Sequence, residues 1–415
     1  MPTEVIPKSK LLVLCQLFYP EMVSTGQTLT ELCCELSDRA WDIEVVCASP
    51  TVQKAKEPVP SLLRHHDITI RRVWATRFPK LNILGRIINQ ATFTLSTLLY
   101  LLFRSGNRKI LVLTNPPFLP FACVVAKCFR PKLKFALLVF DVYPDTAIHL
   151  QLFSKTSLPA RLWDWLNERS FSLASKIIVI GRCMKEVILG KGQRGGLDLR
   201  PKMEMVHIWS DDQAIANTEL VYPDVFAKHG LQGKFIILYS GNMGRFHDVD
   251  TILEAALALR SHPRIRFAFV GEGAKKQDVI AYIDRHALPN CIVDTYVPKE
   301  ELGSLLRCAN AGLATLLPGQ EGLSVPSKTL GLMAAGLPVL AIMDPKAEIA
   351  LLVKEAQFGR VIASGDVKAL VQTLLEFEAS PNLCKELGER GLELVRQTLS
   401  LTKAADRYSE ILKAM

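Results

Sequence analysis

The sequence predicts an α/β protein of two doubly wound, Rossmann-like domains facing across a cleft. Three observations carry that expectation. The chain has 415 residues, which suits two domains of about 200 residues better than one core. Short apolar runs alternate with amphipathic helical stretches along its length, the pattern of a parallel sheet with helical crossovers. Near residue 212 the pattern restarts with a fresh strand, glycine loop and helix. The expected domains are therefore 1–212 and 213–396, with 397–415 a helix that packs back on the first.

Leu11–Cys15 is an apolar run fit for a buried first strand. The loop FYPEMVSTGQ follows, then a helix from about Thr28 to Arg39 and a strand at Ile43–Cys47. Ser24, Thr25 and Gly26 are small, so they leave backbone N–H groups accessible where α/β sheets bind ligands. The loop lacks the GxGxxG spacing of a dinucleotide site. Ile110–Thr114 and Phe135–Phe140 read as further strands, the second running into DVYPD. Carboxylates just past a buried parallel strand make Asp141 and Asp145 candidates to contact a hydroxyl substrate. The alternative is a solvated turn with Asp145 capping the next helix. Lys176–Ile180 and Met203–Ile208 end the first half.

The second half opens with a strand at Phe235–Tyr239 and the loop SGNMGRFHD, then a helix at Asp250–Leu259. The strand Arg266–Val270 ends in Gly271-Glu272-Gly273, and Cys291–Asp294 runs into Thr295-Tyr296-Val297. Asp248-Val249-Asp250 spells DxD, but it opens a helix, where acids offset the macrodipole. No His/Cys cluster shows in the spacing, so no metal is expected. Gly319–Ile342 reads as loop, helix, tight stop and strand. Pro326 and Ser327 suit a helix entry, Ser324 is a candidate cap, and Gly336 with Pro338 stops the helix. Free N–H groups there and the charge of Lys328 favour an anion. Gly331 costs roughly 1 kcal/mol against alanine in mid-helix. Either tight helix–strand packing or a ligand is expected close to its backbone. Two late helices, about Val367–Ala379 and Asn382–Ala414, close the chain, the second broken near Gln397–Thr402.

Composition is that of an ordinary globular chain: 49% apolar and 22% charged, which excludes disorder. The net charge is +9, unevenly spread. Residues 68–140 hold no Asp or Glu but twelve basic side chains, so an anionic partner surface is expected on that segment. Within it Ile87–Phe103 is uncharged, flanked by Arg86 and Arg104. It is short and too polar for a span. It reads as a helix lying in an anionic membrane interface, the alternative being a buried core helix. Basic residues around an apolar run with few aromatics do not make a nucleic-acid site. Ten scattered cysteines, and an N-terminus unlike a signal peptide, point to a reducing, cytoplasmic compartment.

The motifs FYPE…STG, DVYPD, YSGNMGRFHD, VGEG, TYVPKEEL and GLSVPSKTLGLMAAGLPVLA resemble those of GT-B glycosyltransferases of the retaining GT4 group, in the subset that makes polysaccharides and colanic acid. The resemblance spans nearly the whole chain. It implies a transferase that moves a hexosyl or N-acetylhexosaminyl unit from a UDP- or GDP-linked donor, held by the second domain. The acceptor, lipid-linked or saccharide, would sit on the first domain, in surface or exopolysaccharide synthesis at the inner face of the cytoplasmic membrane. The implied catalytic residues are Arg245, Lys328 and Asp141. The implied donor site is Gly241, Asn242, Gly244, His247, Gly271, Glu272, Gly273, Tyr296, Val297, Glu321, Gly322, Leu323, Ser324 and Ser327. Ser24, Thr25, Gly26 and Asp145 fall on the acceptor side, and no cofactor is implied. The sequence departs at Gly331, where the group carries a glutamate that contacts the donor ribose. A catalytically degenerate binding or scaffold protein of the same fold, or a nucleotide-sugar epimerase, is the alternative.

Overall fold

A computed structural model describes residues 9–21, 25–50, 59–78 and 83–415. The chain forms two compact units: one runs to His207 and takes in Leu401–Met415, the other is Ile208–Ser400.

The first unit is built on eight strands: β1 Ser9–Leu14, β2 Trp41–Cys47, β3 Leu62–His65, β4 Ile68–Arg72, β5 Lys109–Leu113, β6 Phe135–Val139, β7 Lys176–Val179 and β8 Met203–Met205. Their order is β3-β4-β2-β1-β5-β6-β7-β8, all parallel except β3, which pairs antiparallel with β4. Leu11, Leu12, Val13 and Leu14 of β1 are fully buried, as expected of a central strand covered on both faces. Three helices matter below: α1 Thr25–Ser37, α2 Ile83–Phe103 and α3 Leu119–Phe129. The terminal helix Leu401–Lys413 lies on α1. The Trp41 indole donates to Ser409 Oγ at 2.9 Å, and Arg39 pairs with Asp406 at 2.7 Å.

The second unit has six parallel strands: β9 Phe235–Ser240, β10 Ile265–Val270, β11 Cys291–Asp294, β12 Ala311–Thr315, β13 Val339–Ile342 and β14 Gly359–Ile362. Their order, β11-β10-β9-β12-β13-β14, reverses direction between β9 and β12. The loops leaving these two strands therefore diverge and open a crevice at the carboxyl edge, where doubly wound sheets bind ligands.

Most anticipated strands stand within two residues of their expected ends. Some elements were not anticipated. The β3–β4 hairpin was not anticipated, because Arg64, His65, His66 and Asp67 interrupt its apolar pattern. The helix Arg182–Arg194 was likewise missed, its lysines and glycines masking any apolar stripe. The final helix breaks where expected, into Pro381–Leu394, a π turn Val395–Leu399 and Leu401–Lys413.

Candidate functional site

At the carboxyl edge of the second sheet, two glycine loops lock together through their backbones. The Gly241 N–H donates to Val270 O at 2.9 Å, and the Met243 N–H donates to Glu272 O at 2.7 Å. The approach leaves no room for side chains. A Cβ on Gly271 would stand 2.0 Å from Gly241 O, and one on Gly273 would stand 2.4 Å from Met243 O. Gly241, Gly271 and Gly273 also hold φ of 114°, 153° and 148°, values that strain any L side chain. These glycines are fixed by geometry.

Lys328 begins the helix Lys328–Ala334, which follows the loop after β12. Its Nζ is buried without a hydrogen-bond partner and stands 3.4 Å from the centroid of the Tyr239 ring. Burial holds the amine well below the usual lysine range. The ring face is the one group positioned to favour its charge. Gln320, nearly fully buried, also has an orphaned Oε1. A buried amine left unsatisfied at a switch point calls for a polar ligand.

His247 belongs to the same cluster. Its Nδ1 accepts from the Gly244 N–H at 3.2 Å and stands 2.6 Å from the Tyr239 hydroxyl. Burial first, and Lys328 second, lower its pKa to about 3. The ring is neutral, and with Nδ1 accepting, its proton sits on Nε2. Lys275 Nζ donates to His247 O at 2.9 Å. Arg245 and Asn242 are exposed on the loop, and the Asn242 carbonyl accepts from the Tyr239 hydroxyl at 3.0 Å. Tyr296 is half exposed, its hydroxyl pKa raised by burial and lowered by hydrogen bonding with the Glu272 backbone. Val297 follows it, partly buried. The Glu272 carboxylate pairs with Lys276 at 2.6 Å.

The loop before Lys328 is tied in place. Leu317 N donates to Phe246 O at 2.7 Å, and the Glu321 carboxylate accepts from the Gly319 N–H at 3.1 Å. Gly322 takes a φ of 76°, and Leu323 is buried. One expectation fails here and one is narrowed. The cap position is Ser327, not Ser324, and its side chain makes no capping bond, because Ser327 is itself helical. At Gly331 an added Cβ would meet only Leu306 Cδ1, at 3.6 Å. That is ordinary contact, so close packing does not explain this glycine. Asp248 accepts from the Thr251 N–H at 3.1 Å and the Thr251 hydroxyl at 2.6 Å, so this half of the DxD opens a helix. Sequence reasoning missed Tyr239 and Gln320. Each looks like an ordinary core or loop residue, and only the site shows what it faces.

In the first unit, Asp141 follows β6, and burial raises its carboxyl pKa to about 6. Asp145 pairs with Lys191 at 2.5 Å, and Lys191 also holds Asp164 at 2.6 Å. The capping alternative for Asp145 is not observed: Pro144 occupies the cap position and Asp145 is already helical. Thr25 and Gly26 open α1 and are buried. A Cβ on Gly26 would meet Glu21 O at 2.5 Å. Ser24 lies outside the described residues.

Residues 222–394 match the family described as glycosyl transferases group 1, so the second unit carries a group 1 glycosyltransferase domain. The chain is 29% identical over 276 residues to the probable glycosyltransferase WbjE of Pseudomonas aeruginosa, covering 66% of this chain and 64% of that protein. It is 30% identical over 130 residues to the putative colanic acid biosynthesis glycosyl transferase WcaI of Escherichia coli K12, covering 31% of this chain and 30% of that one. The chain thus spans less than two thirds of both relatives. Among solved structures, HepE of Anabaena in complex with UDP-glucose superposes with a TM-score of 0.69 at 15% identity, over 98% of this chain and 100% of that one. The fold is that of the GT-B glycosyltransferases.

Proposed function

We propose that this chain is a retaining glycosyltransferase of surface or exopolysaccharide synthesis. It takes a sugar from a nucleotide-sugar donor bound at the carboxyl edge of the second sheet. One observation carries the reading: a buried lysine amine without a hydrogen-bond partner, beside two interlocked glycine loops. HepE binds UDP-glucose, and a UDP-linked donor is the first to test here.

Cleaving a glycosyl–phosphate bond leaves negative charge on the departing diphosphate and positive charge on the sugar. Fixed positive groups at the diphosphate lower that barrier most. Lys328 is held by burial and by the Tyr239 ring, so it needs no reorganisation when charge develops. Arg245, exposed on the glycine loop, supplies a second cation. Neutral His247 donates from Nε2 to a donor oxygen. No enzymic nucleophile is assigned. Because the free amine has a depressed pKa, a bound diphosphate raises it and draws in a proton. Donor affinity therefore falls as pH rises.

The acceptor is a phosphate-bearing lipid or its saccharide, met by the first unit at an anionic membrane surface, with Asp141 beside the accepting hydroxyl. The proposed attachment is peripheral, and no helix among the described residues is long and apolar enough to cross a membrane. The test is transfer of labelled sugar from UDP- and GDP-linked donors into the organic phase of a bacterial lipid extract. Labelled lipid supports the reading; donor consumed without acceptor identifies an epimerase. Gly331 favours a second reading, a donor-binding scaffold, which would bind donor and never turn it over.

A further inference from the structure

Helices that face water put polar residues outward, and α2 does the reverse. Its Asn89 and Thr97 are buried. Asn89 Oδ1 accepts from the Phe78 N–H at 2.9 Å and the Thr76 hydroxyl at 2.8 Å, and Thr97 Oγ1 donates to Phe93 O at 2.9 Å. Leu84, Ile87, Ile88, Leu95, Leu99 and Phe103 face outward, with Phe103 79% exposed. Their spacing places them on one face. Trp74 and Phe78 on the segment bonded to α2, and Phe129 on α3, are exposed too. An apolar surface this continuous marks a contact with something other than water.

Beside the end of that face lies a cavity of about 400 Å³, lined by Arg71, Arg72, Arg104, Trp74, Leu99 and Phe103 among others. Its charge is positive. Buried Glu44 is shared between Arg71 at 2.7 Å and Arg108 at 3.1 Å, and the Tyr100 hydroxyl donates to it at 2.8 Å. One carboxylate thus faces two guanidinium groups. Arg72 is 7% exposed. Its terminal N–H groups donate to the carbonyls of Pro60 and Tyr19, both at 2.8 Å, and its Nε has no partner. Arg104 is exposed at the rim.

We infer that this pocket binds the phosphodiester headgroup of an anionic glycerophospholipid while the outward row of α2 lies among the acyl chains of the same leaflet. The inference rests on the membrane placement proposed above and gives it a specific site. Charge chooses a lipid over a protein partner. Residues 68–140 carry no acid, and an apolar helix face flanked by arginines is the arrangement that enters an anionic interface. Arginine matches phosphate in geometry as well as charge.

The experiment uses the full chain and vesicles of phosphatidylcholine with and without phosphatidylglycerol. Co-flotation is expected with the anionic vesicles, several-fold weaker for Arg104→Gln and Arg104→Glu, and lost for Phe103→Ser. Tryptophan emission is expected to be quenched by acyl-brominated phosphatidylglycerol, with most of the quenching removed by Trp74→Phe. An unchanged melting temperature in the Arg104 variants excludes misfolding. Equal flotation on both vesicles, or wild-type binding by the Arg104 variants, overturns the site. So does full displacement by soluble glycerol phosphate, which would make it a site for free phosphate. The thermal response to UDP reads the second unit separately. Its failure counts against the transferase and leaves the lipid site standing.

Discussion

The two sheets share one strand order around their switch points, yet their carboxyl edges are built differently. In the second unit the edge is mostly backbone: glycine loops joined N–H to carbonyl, with Lys328 beside them. In the first it is side chains, with Asp141 partly buried and Asp145 held by Lys191. A backbone edge offers fixed N–H dipoles and suits an anion that every donor shares. A side-chain edge can change with the acceptor. The contrast predicts that the second edge tolerates little substitution and the first tolerates more.

The largest effect should come at Gly273. Gly273→Ala pushes a methyl into the Met243 carbonyl at an unfavourable φ and should cost about 3 kcal/mol or more of stability. Chemical denaturation checks this, and a near-wild-type midpoint would mean the loops are not locked. Lys328→Ala comes next. It should lose about 2–4 kcal/mol of transition-state stabilisation while melting no lower than wild type, because a buried amine without a hydrogen-bond partner is removed. Turnover and melting measured on one preparation separate the two effects.

Asp141→Asn tests the other edge. The folded pKa of about 6 lies above the ordinary 3.8, so folding favours the protonated acid. That contribution is full below about pH 4 and is lost as pH rises through about 6. The asparagine variant should therefore be more stable than wild type at pH 8, by about 3 kcal/mol, and equal near pH 4. Melting curves across that range would show a constant difference if burial is not the cause. The smallest effect is at Gly331. Gly331→Ala has room for its methyl and should stabilise by about 0.5–1 kcal/mol with the UDP response unchanged. A loss of UDP response would place the ligand against that backbone.

The same contrast explains what could be read from the sequence. Apolar runs such as Leu11–Leu14 and Val339–Ile342 marked their strands, because a strand buried on both faces leaves no polar position. The glycines at 241, 271 and 273 pointed to the backbone edge, because only glycine takes those torsions. Side-chain partnerships were less legible. Nothing near Asp145 in sequence announces Lys191, and Tyr239 reads as one more buried aromatic until Lys328 is seen over its ring. The β3–β4 hairpin was hidden by its polar turn. At Gly331 the sequence offered packing or a ligand, and the ordinary 3.6 Å contact with Leu306 disfavours packing alone. The acid-free basic segment 68–140 was visible as charge, whereas the inward turn of Asn89 and Thr97 needed the fold.

The most direct test of the central claim is a titration of UDP- and GDP-sugars against the wild type and Lys328→Ala, read by thermal stabilisation at pH 6.5 and pH 8.5, values chosen to be about two units apart. The account predicts a shift with one nucleotide, larger at the lower pH and lost in the variant. A folded wild-type protein that responds to no nucleotide, or a variant that responds equally, would contradict it.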